Sequence, residues 1–248
     1  MRILVVLSLL TTLLTGCSEP ITPIRVLFVL GSPPYHDIVN LPPILEARLT
    51  REGGFAVTRI EPPSGKPTDT GHLAKLATLS IDQYDVILFY LNADPLLPDQ
   101  EEGLERFLNN GGGLVALHGS SASFKDSELW GKVVGGRFIG HARGTSALRI
   151  TFVDRMHPIT AGINDFETTD EEYCHELEPT VARHVLGRFV ARPPKSVCPD
   201  GPNEMMWTRE FGRGRVFYNS LGHNVATWEN EAWQRLVIQG IQWAAGRK

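Results

Sequence analysis

Three almost unbroken apolar runs constrain this chain more than any other feature: Ile24–Leu30 (IRVLFVL), Asp85–Leu91 (DVILFYL) and Leu114–Leu117 (LVAL). Runs without polar alternation suit strands covered on both faces, the usual setting of a parallel sheet. Segments of helical spacing separate them. Leu41, Leu45 and Leu49 share one side of a helix predicted over Leu41–Arg51. A second opens at Pro98, carries Leu104, Phe107 and Leu108 on one side, and closes at Asn109-Asn110-Gly111. Phe55–Ile60 reads as a short strand and His72–Leu79 as a short helix. Further strands are expected at Ala147–Val153, Val185–Ala191, Glu204–Arg209 and Gly214–Leu221, with a closing helix over Trp233–Ala245. Strand and helix in this rhythm predict one doubly wound α/β domain over residues 24–248, its sheet mostly parallel with helices on both faces. A hydrophobic content of 42% supplies the core such a fold needs.

The first residues carry an address rather than fold information. Arg2 precedes an apolar stretch, Ile3–Leu14, shorter than the roughly 20 residues of a spanning helix. Residues 1–16 read as an export signal. Leu14-Thr15-Gly16-Cys17 resembles the lipobox of bacterial lipoproteins, which implies cleavage before Cys17, acylation of that cysteine, and a short tether over residues 17–23. Ser18 after it, rather than Asp, implies the outer membrane, with the domain facing the periplasm of the bacterial envelope. The membrane is then met through the lipid alone. A net charge of −4 offers no positive field for nucleic acid. In an oxidising compartment the two remaining cysteines, Cys174 and Cys198, are either a disulfide or two unrelated buried thiols.

In open α/β sheets ligands bind beyond the carboxyl ends of the strands. Three strands of this chain deliver a histidine there: Tyr35-His36-Asp37 after the first, His118-Gly119-Ser120 after LVAL, and Gly222-His223 after the late strand. Phe138 and His141 follow the pair Gly135-Gly136, and Asp170-Glu171-Glu172-Tyr173 forms an acidic cluster. A carboxylate beside imidazoles can orient them, share a metal, or transfer a proton. An acidic run can equally be a solvated face. Gly111-Gly112-Gly113 precedes a strand instead of opening a helix, so it is turn geometry and not a phosphate loop. His157-Pro158 reads as a turn. No HExxH or paired CxxC is present, so any metal site must be assembled from distant loops.

Five segments, GGGLVALHGSSASF (111–124), GGRFIGH (135–141), HPIT (157–160), DEEY (170–173) and GRGRVFYNSLGH (212–223), followed by Trp243-Ala244, together resemble the ThuA-like (trehalose utilisation) family across nearly the whole mature chain. The resemblance implies a class I glutamine amidotransferase-like, flavodoxin-like fold. It also implies a role with disaccharides or 3-keto-sugars, a partner sugar dehydrogenase, and a divalent metal such as zinc. The amidotransferase activity itself is excluded, because the turn that carries its cysteine nucleophile reads Ala116-Leu117-His118-Gly119 here.

The leading expectation is therefore an enzyme that converts a glycoside or keto-sugar by proton transfer or metal assistance. His36, His118, His141, His223, Asp170 and Glu171 are its catalytic candidates, and His36, His118 and His223 its metal ligands. Tyr35, Asp37, Ser120, Phe138 and Tyr173 are expected to touch the sugar. Two alternatives stand beside it. One is a non-catalytic sugar-binding lipoprotein with Trp130, Trp207 or Trp228 stacked on sugar rings; the other is a metal-binding protein with no sugar role.

Overall fold

A computed structural model describes residues 22–31, 35–66, 68–201 and 203–247. The export signal, Cys17 and most of the tether lie outside the described residues. Among the described residues nine strands form one sheet, in the order β2-β1-β3-β4-β11-β10-β9-β6-β7. They are β1 (Ile24–Gly31), β2 (Phe55–Ile60), β3 (Val86–Leu91), β4 (Gly113–Leu117), β6 (Ser146–Phe152), β7 (Phe166–Asp170), β9 (His184–Phe189), β10 (Glu204–Phe211) and β11 (Gly214–Asn219). The block β2-β1-β3-β4-β11 is parallel throughout. Beyond it only β10 and β6 run against the rest. A separate antiparallel ribbon pairs β5 (Gly136–Gly140) with β8 (Cys174–Leu177).

The unbroken apolar runs follow from the two-residue repeat of a strand. In β1, Val26, Phe28 and Leu30 enter the core on one face, and Leu27 and Val29 enter the other. In β3, Val86, Leu88 and Tyr90 oppose Ile87, Phe89 and Leu91 in the same way. Helices α1 (Pro42–Glu52) and α5 (Glu231–Ala244) cover the first face through Leu45, Leu49, Leu236 and Ile241. The short 3-10 helix Gly71–Thr78, α2 (Pro98–Asn109) and α3 (Glu128–Val134) cover the second. Pro98 opens α2, and Asp99 and Glu101 in its first turn face the positive end of the helix dipole. Helix α4 (Val225–Trp228) is a single turn beside β7. Among the described residues no helix is long and apolar enough to cross a membrane.

The glycine triplet joins α2 to β4, as its position demands. A Cβ on Gly112 would lie 2.2 Å from the Phe107 ring, and one on Gly113 2.5 Å from the Ala244 carbonyl oxygen. Close packing, not phosphate, fixes these glycines. Cys174 and Cys198 form a disulfide, which ties β8 to the loop between β9 and β10.

At the amino end of β1, Asp85 accepts from the Arg25 backbone N–H at 2.8 Å and from its guanidinium at 2.6 and 3.2 Å. Partial burial raises the Asp85 carboxyl, but the Arg25 hydrogen bonds and charge outweigh it and hold the group below its usual 3.8. A depressed folded value means stability that is present above 3.8 and lost as pH falls through the lower value. The pair is partly exposed, so its share is about 1 kcal/mol at most. We expect Asp85→Asn to unfold earlier than wild type in denaturant at neutral pH, and the difference to shrink as pH falls below 3.8.

Candidate active site

The parallel strands end at one edge of the sheet, and the three expected histidines meet there. His36 lies beyond β1, His118 begins a 3-10 turn directly after β4, and His223 follows β11. Their ring centroids are 4.7 Å (His36–His118), 5.7 Å (His36–His223) and 5.6 Å (His118–His223) apart. One ring nitrogen from each falls within 4.8 Å of the others. His118 sits at φ +45°, a left-handed conformation rare for a side-chain-bearing residue and characteristic of functional turns. Gly119 is needed for close approach: a Cβ there would stand 2.3 Å from His36 Cε1.

The strained turn is braced from behind. Tyr218 on β11 donates to the His118 carbonyl at 3.1 Å, while Ser121 Oγ and His175 Nε2 lie 2.8 and 2.9 Å from the Tyr218 hydroxyl. Trp130 donates to the Ser120 carbonyl at 2.9 Å, and Trp228 to the Gly222 carbonyl at 2.7 Å. Trp130, Trp207 and Trp228 are thus enclosed braces and offer no face to a sugar. That corrects the stacking role expected for them.

His118 Nδ1 donates to the Ser220 carbonyl at 2.7 Å, which leaves Nε2 as the atom with the free lone pair. Among the described residues His118 Nε2, His36 Nδ1 and His223 Nδ1 are buried without a hydrogen-bond partner. Burial, and to a lesser degree the neighbouring imidazoles, holds His36 well below 6.5. Burial takes His118 down to about 3. Both are neutral near pH 7, the form that binds a cation.

Glu171 closes the cluster. Its Oε2 lies 3.5 Å from His118 Nε2 and 3.3 Å from His223 Nδ1, and its Oε1 lies 3.5 Å from His141 Nδ1. The His118 and His223 approaches are near in distance but lack hydrogen-bond direction, which is why those nitrogens stay unpartnered. Burial raises the Glu171 carboxyl above 4.5, opposed by His223 and His141. Tyr173 packs on His118 at 4.1 Å between ring centroids, and on Phe138 at 4.3 Å. Tyr35, Asn92, Lys125, Phe138 and Tyr173 help to line a cavity of about 380 Å³ over His36, His141, Glu171 and His223.

The structure separates the remaining expectations. Asp170 is fully buried beside the cluster. It accepts from the backbone N–H groups of Glu171, Gly222 and His223 and from the Thr227 hydroxyl. Burial moves it up to about 6 against those four donors. It positions the loops and does not reach the cavity, which corrects its expected catalytic role. Ser120 is also enclosed, its hydroxyl donating to the carbonyls of Phe89 and Leu117, so it is no sugar contact. Asp37 is occupied locally, accepting from the N–H groups of Val39 and Asn40 and from the Asn40 amide. His157 accepts from the Ile159 N–H within its own turn. Asn92 and Lys125 escape the sequence reading. Asn92 follows β3, so the strand-end rule that found the histidines applies to it too; nothing in the sequence marks Lys125.

The family described as trehalose utilisation, ThuA, matches residues 25–244. The chain belongs to the ThuA family. Its description gives the ThuA chain a family-level role in carbohydrate use. The fold is similar to that of a ThuA-like protein from Parabacteroides merdae, 19% identical over 91% of each chain, with a TM-score of 0.74. A ThuA-like protein from Bacteroides uniformis is 17% identical over 92% of this chain and 94% of that one, with a TM-score of 0.72. A cold-adapted β-galactosidase from Rahnella sp. R3 shares the fold over 90% of this ThuA chain but only 31% of its own length, at 13% identity and a TM-score of 0.55. None of the curated proteins matches the chain in sequence.

Proposed function

We propose that this ThuA protein is an enzyme of keto-sugar or disaccharide conversion, in which His36, His118 and His223 hold a divalent cation such as zinc and Glu171 moves the proton. The observation that carries the reading is the convergence of three buried, unpartnered imidazole nitrogens beneath one carboxylate. The donor set suits the ion: neutral imidazoles, one fixed in its tautomer by a backbone carbonyl, are the commonest nitrogen ligands of zinc. Tetrahedral zinc needs ligand nitrogens about 3.3 Å apart, so side-chain rotation would draw the outermost pair inward.

When bound, the ion supplies Lewis-acid polarisation of a sugar oxygen. The protein side of the chemistry follows from its own groups. A ketone on the ring acidifies the neighbouring C–H, and Glu171 faces the cavity as the base for that proton. His141 Nδ1 lies 3.5 Å from Glu171 Oε1 but donates to the Ala142 carbonyl at 2.7 Å, so His141 flanks the carboxylate and does not take its proton through that nitrogen. Phe138 and Tyr173 wall the cavity with aromatic surface and limit water. Loss of the proton opens either elimination of the glycosidic oxygen or isomerisation.

The same reading places the domain in the bacterial envelope on an acylated Cys17, facing the periplasm, with a partner sugar dehydrogenase supplying the keto-sugar. The test is incubation of purified protein with trehalose, its 3-keto form and related glycosides, with and without added zinc, followed by mass spectrometry. New products that depend on the metal are expected. Metal content near one ion per chain is expected for wild type and a large loss for His36→Ala. Sugar binding without any product would mean a carrier, and metal-free protein of full activity would remove the cation from the account.

A further inference from the structure

The opposite edge of the sheet is hollow too. Strand β10 runs against β11, so its last residues, Thr208–Phe211, lie at the end away from His118 and His223. His184 opens β9 beside Thr208, and the turn after β6 brings Asp154 and His157 to the same place. A cavity of about 610 Å³ lies there, wider than the one of about 380 Å³ over the histidine cluster. Small-molecule sites span about 300–1,000 Å³. The six residues of β11 put about 20 Å between the two edges, so a ligand here touches none of His36, His118 and His223. HPIT and Trp243, two of the segments that carry the family resemblance, meet at this cavity and take no part in the histidine site.

The charge of the cavity is unbalanced. Arg183 and Arg209 both line it. Burial first, and then the charge of Arg183, lowers the Arg209 pKa. Arg209 gives Nε and Nη2 to the Glu210 carbonyl at 3.1 and 2.9 Å, and its Nη1 is buried without a hydrogen-bond partner. Arg183 Nε is buried without a partner as well, with the Glu204 carboxylate 4.0 Å away. Asp154 does not answer either guanidinium. Its Oδ2 lies 2.8 Å from His184 Nε2, and its Oδ1 accepts from the backbone N–H groups of Met156 and His157. Guanidinium donors left without an acceptor are costly, and an oxyanion shared by two of them supplies the missing bonds and relieves their repulsion. Beside the arginines the Trp243 and His157 rings pack at 5.4 Å, and Val181 and Ala182 add apolar surface. Asp154 and Glu210 also border the cavity, which disfavours a ligand with a second negative charge.

We propose that this cavity is a second ligand site, which takes a small aromatic monocarboxylate with its carboxylate between Arg183 and Arg209 and its ring against Trp243 and His157. The site is independent of the reaction proposed above, and its test does not use sugar turnover. The full chain is titrated calorimetrically with benzoate, benzyl alcohol and phenyl phosphate, and the benzoate complex is followed by amide and indole N–H resonances. Wild type should bind one benzoate per chain with a Kd of about 1 mM or tighter, and benzyl alcohol about tenfold or more weakly. The Trp243 indole N–H should shift. Those of Trp130, Trp207 and Trp228, which donate to backbone carbonyls, should stay. Arg209→Gln removes one charge and should weaken benzoate about tenfold or more. Ala182 is exposed, so Ala182→Trp fills the cavity without touching the core and should abolish binding. Thermal unfolding verifies that each variant is folded, and Ala182→Trp decides alone if Arg209→Gln is not. Absence of saturable benzoate binding, equal affinity for benzyl alcohol, or unchanged affinity in Ala182→Trp would overturn the site. Tighter binding of phenyl phosphate would overturn the carboxylate, and shifts at His118 and His223 in place of Trp243 would overturn the location.

Discussion

On the proposed reading, Glu171→Gln is expected to lower turnover of a keto-sugar by about 10²–10⁴-fold while the protein stays folded and still takes up zinc. The amide has the shape of the carboxylate and cannot take a proton from carbon. Three imidazoles surround this one side chain at 3.3–3.5 Å, so a neutral group there alters proton transfer before it alters architecture. The proposed ligand nitrogens of His36, His118 and His223 remain, and His118 keeps its tautomer through the Ser220 carbonyl. The effect should fall on kcat and leave KM nearly unchanged, because the interaction lost belongs to the transition state. Single-turnover kinetics, with metal content measured on the same sample, check it. A variant as active as wild type would move the base elsewhere, and His141 would be the next group to replace. A variant that lost its metal along with its activity would make Glu171 a ligand.

The parallel half of the fold was legible because burial on both faces writes itself into β1, β3 and β4 as uninterrupted apolar sequence. The strand-end rule brings His36, His118 and His223 to one sheet edge from the sequence alone. The antiparallel side was legible only in part. Strand β7 presents Thr168 and Asp170 inward, so its buried face is polar and hydrophobic periodicity is silent over it. The β5–β8 ribbon is short and glycine-rich, and its pairing joins residues distant in sequence. That ribbon and the turn before it bring Phe138 and Tyr173 to the cavity. The acidic run beginning at Asp170 looked ambiguous for a related reason. Charge alone cannot distinguish a solvated face from a buried one, and here Asp170, Glu171 and Glu172 are all buried. Adjacent residues then take different tasks: Asp170 points into the loops, Glu171 into the cavity, and Glu172 toward Arg192 at 3.2 Å. The enclosure of Ser120 and the local capping by Asp37 follow from backbone detail that a strand-end rule does not resolve.

Asp170→Ala is expected to be the most damaging single change to stability in the site region. One carboxylate gathers four donors from two distant segments. Oδ1 accepts from Glu171 N at 2.7 Å and His223 N at 3.0 Å, and Oδ2 accepts from Gly222 N at 3.0 Å and from the Thr227 hydroxyl. Thr227 in turn meets Thr168 of β7 at 3.0 Å. Alanine leaves these donors buried without an acceptor, at about 1–3 kcal/mol for each that water cannot reach. A net loss of about 3–5 kcal/mol is a large part of the 5–15 kcal/mol that holds a domain together. The melting temperature should fall by about 10 °C. Asp170→Asn keeps the shape but turns an amide N–H₂ toward a donor, so it should lie between alanine and wild type. Because Gly222 and His223 hang on the same carboxylate, the alanine variant should also bind zinc more weakly, and added zinc should recover part of the lost melting temperature. Thermal unfolding of the three proteins, each with and without zinc, decides the matter. If Asp170→Ala melts with wild type, the four donors have found water, and Asp170 does not hold the His223 loop in place.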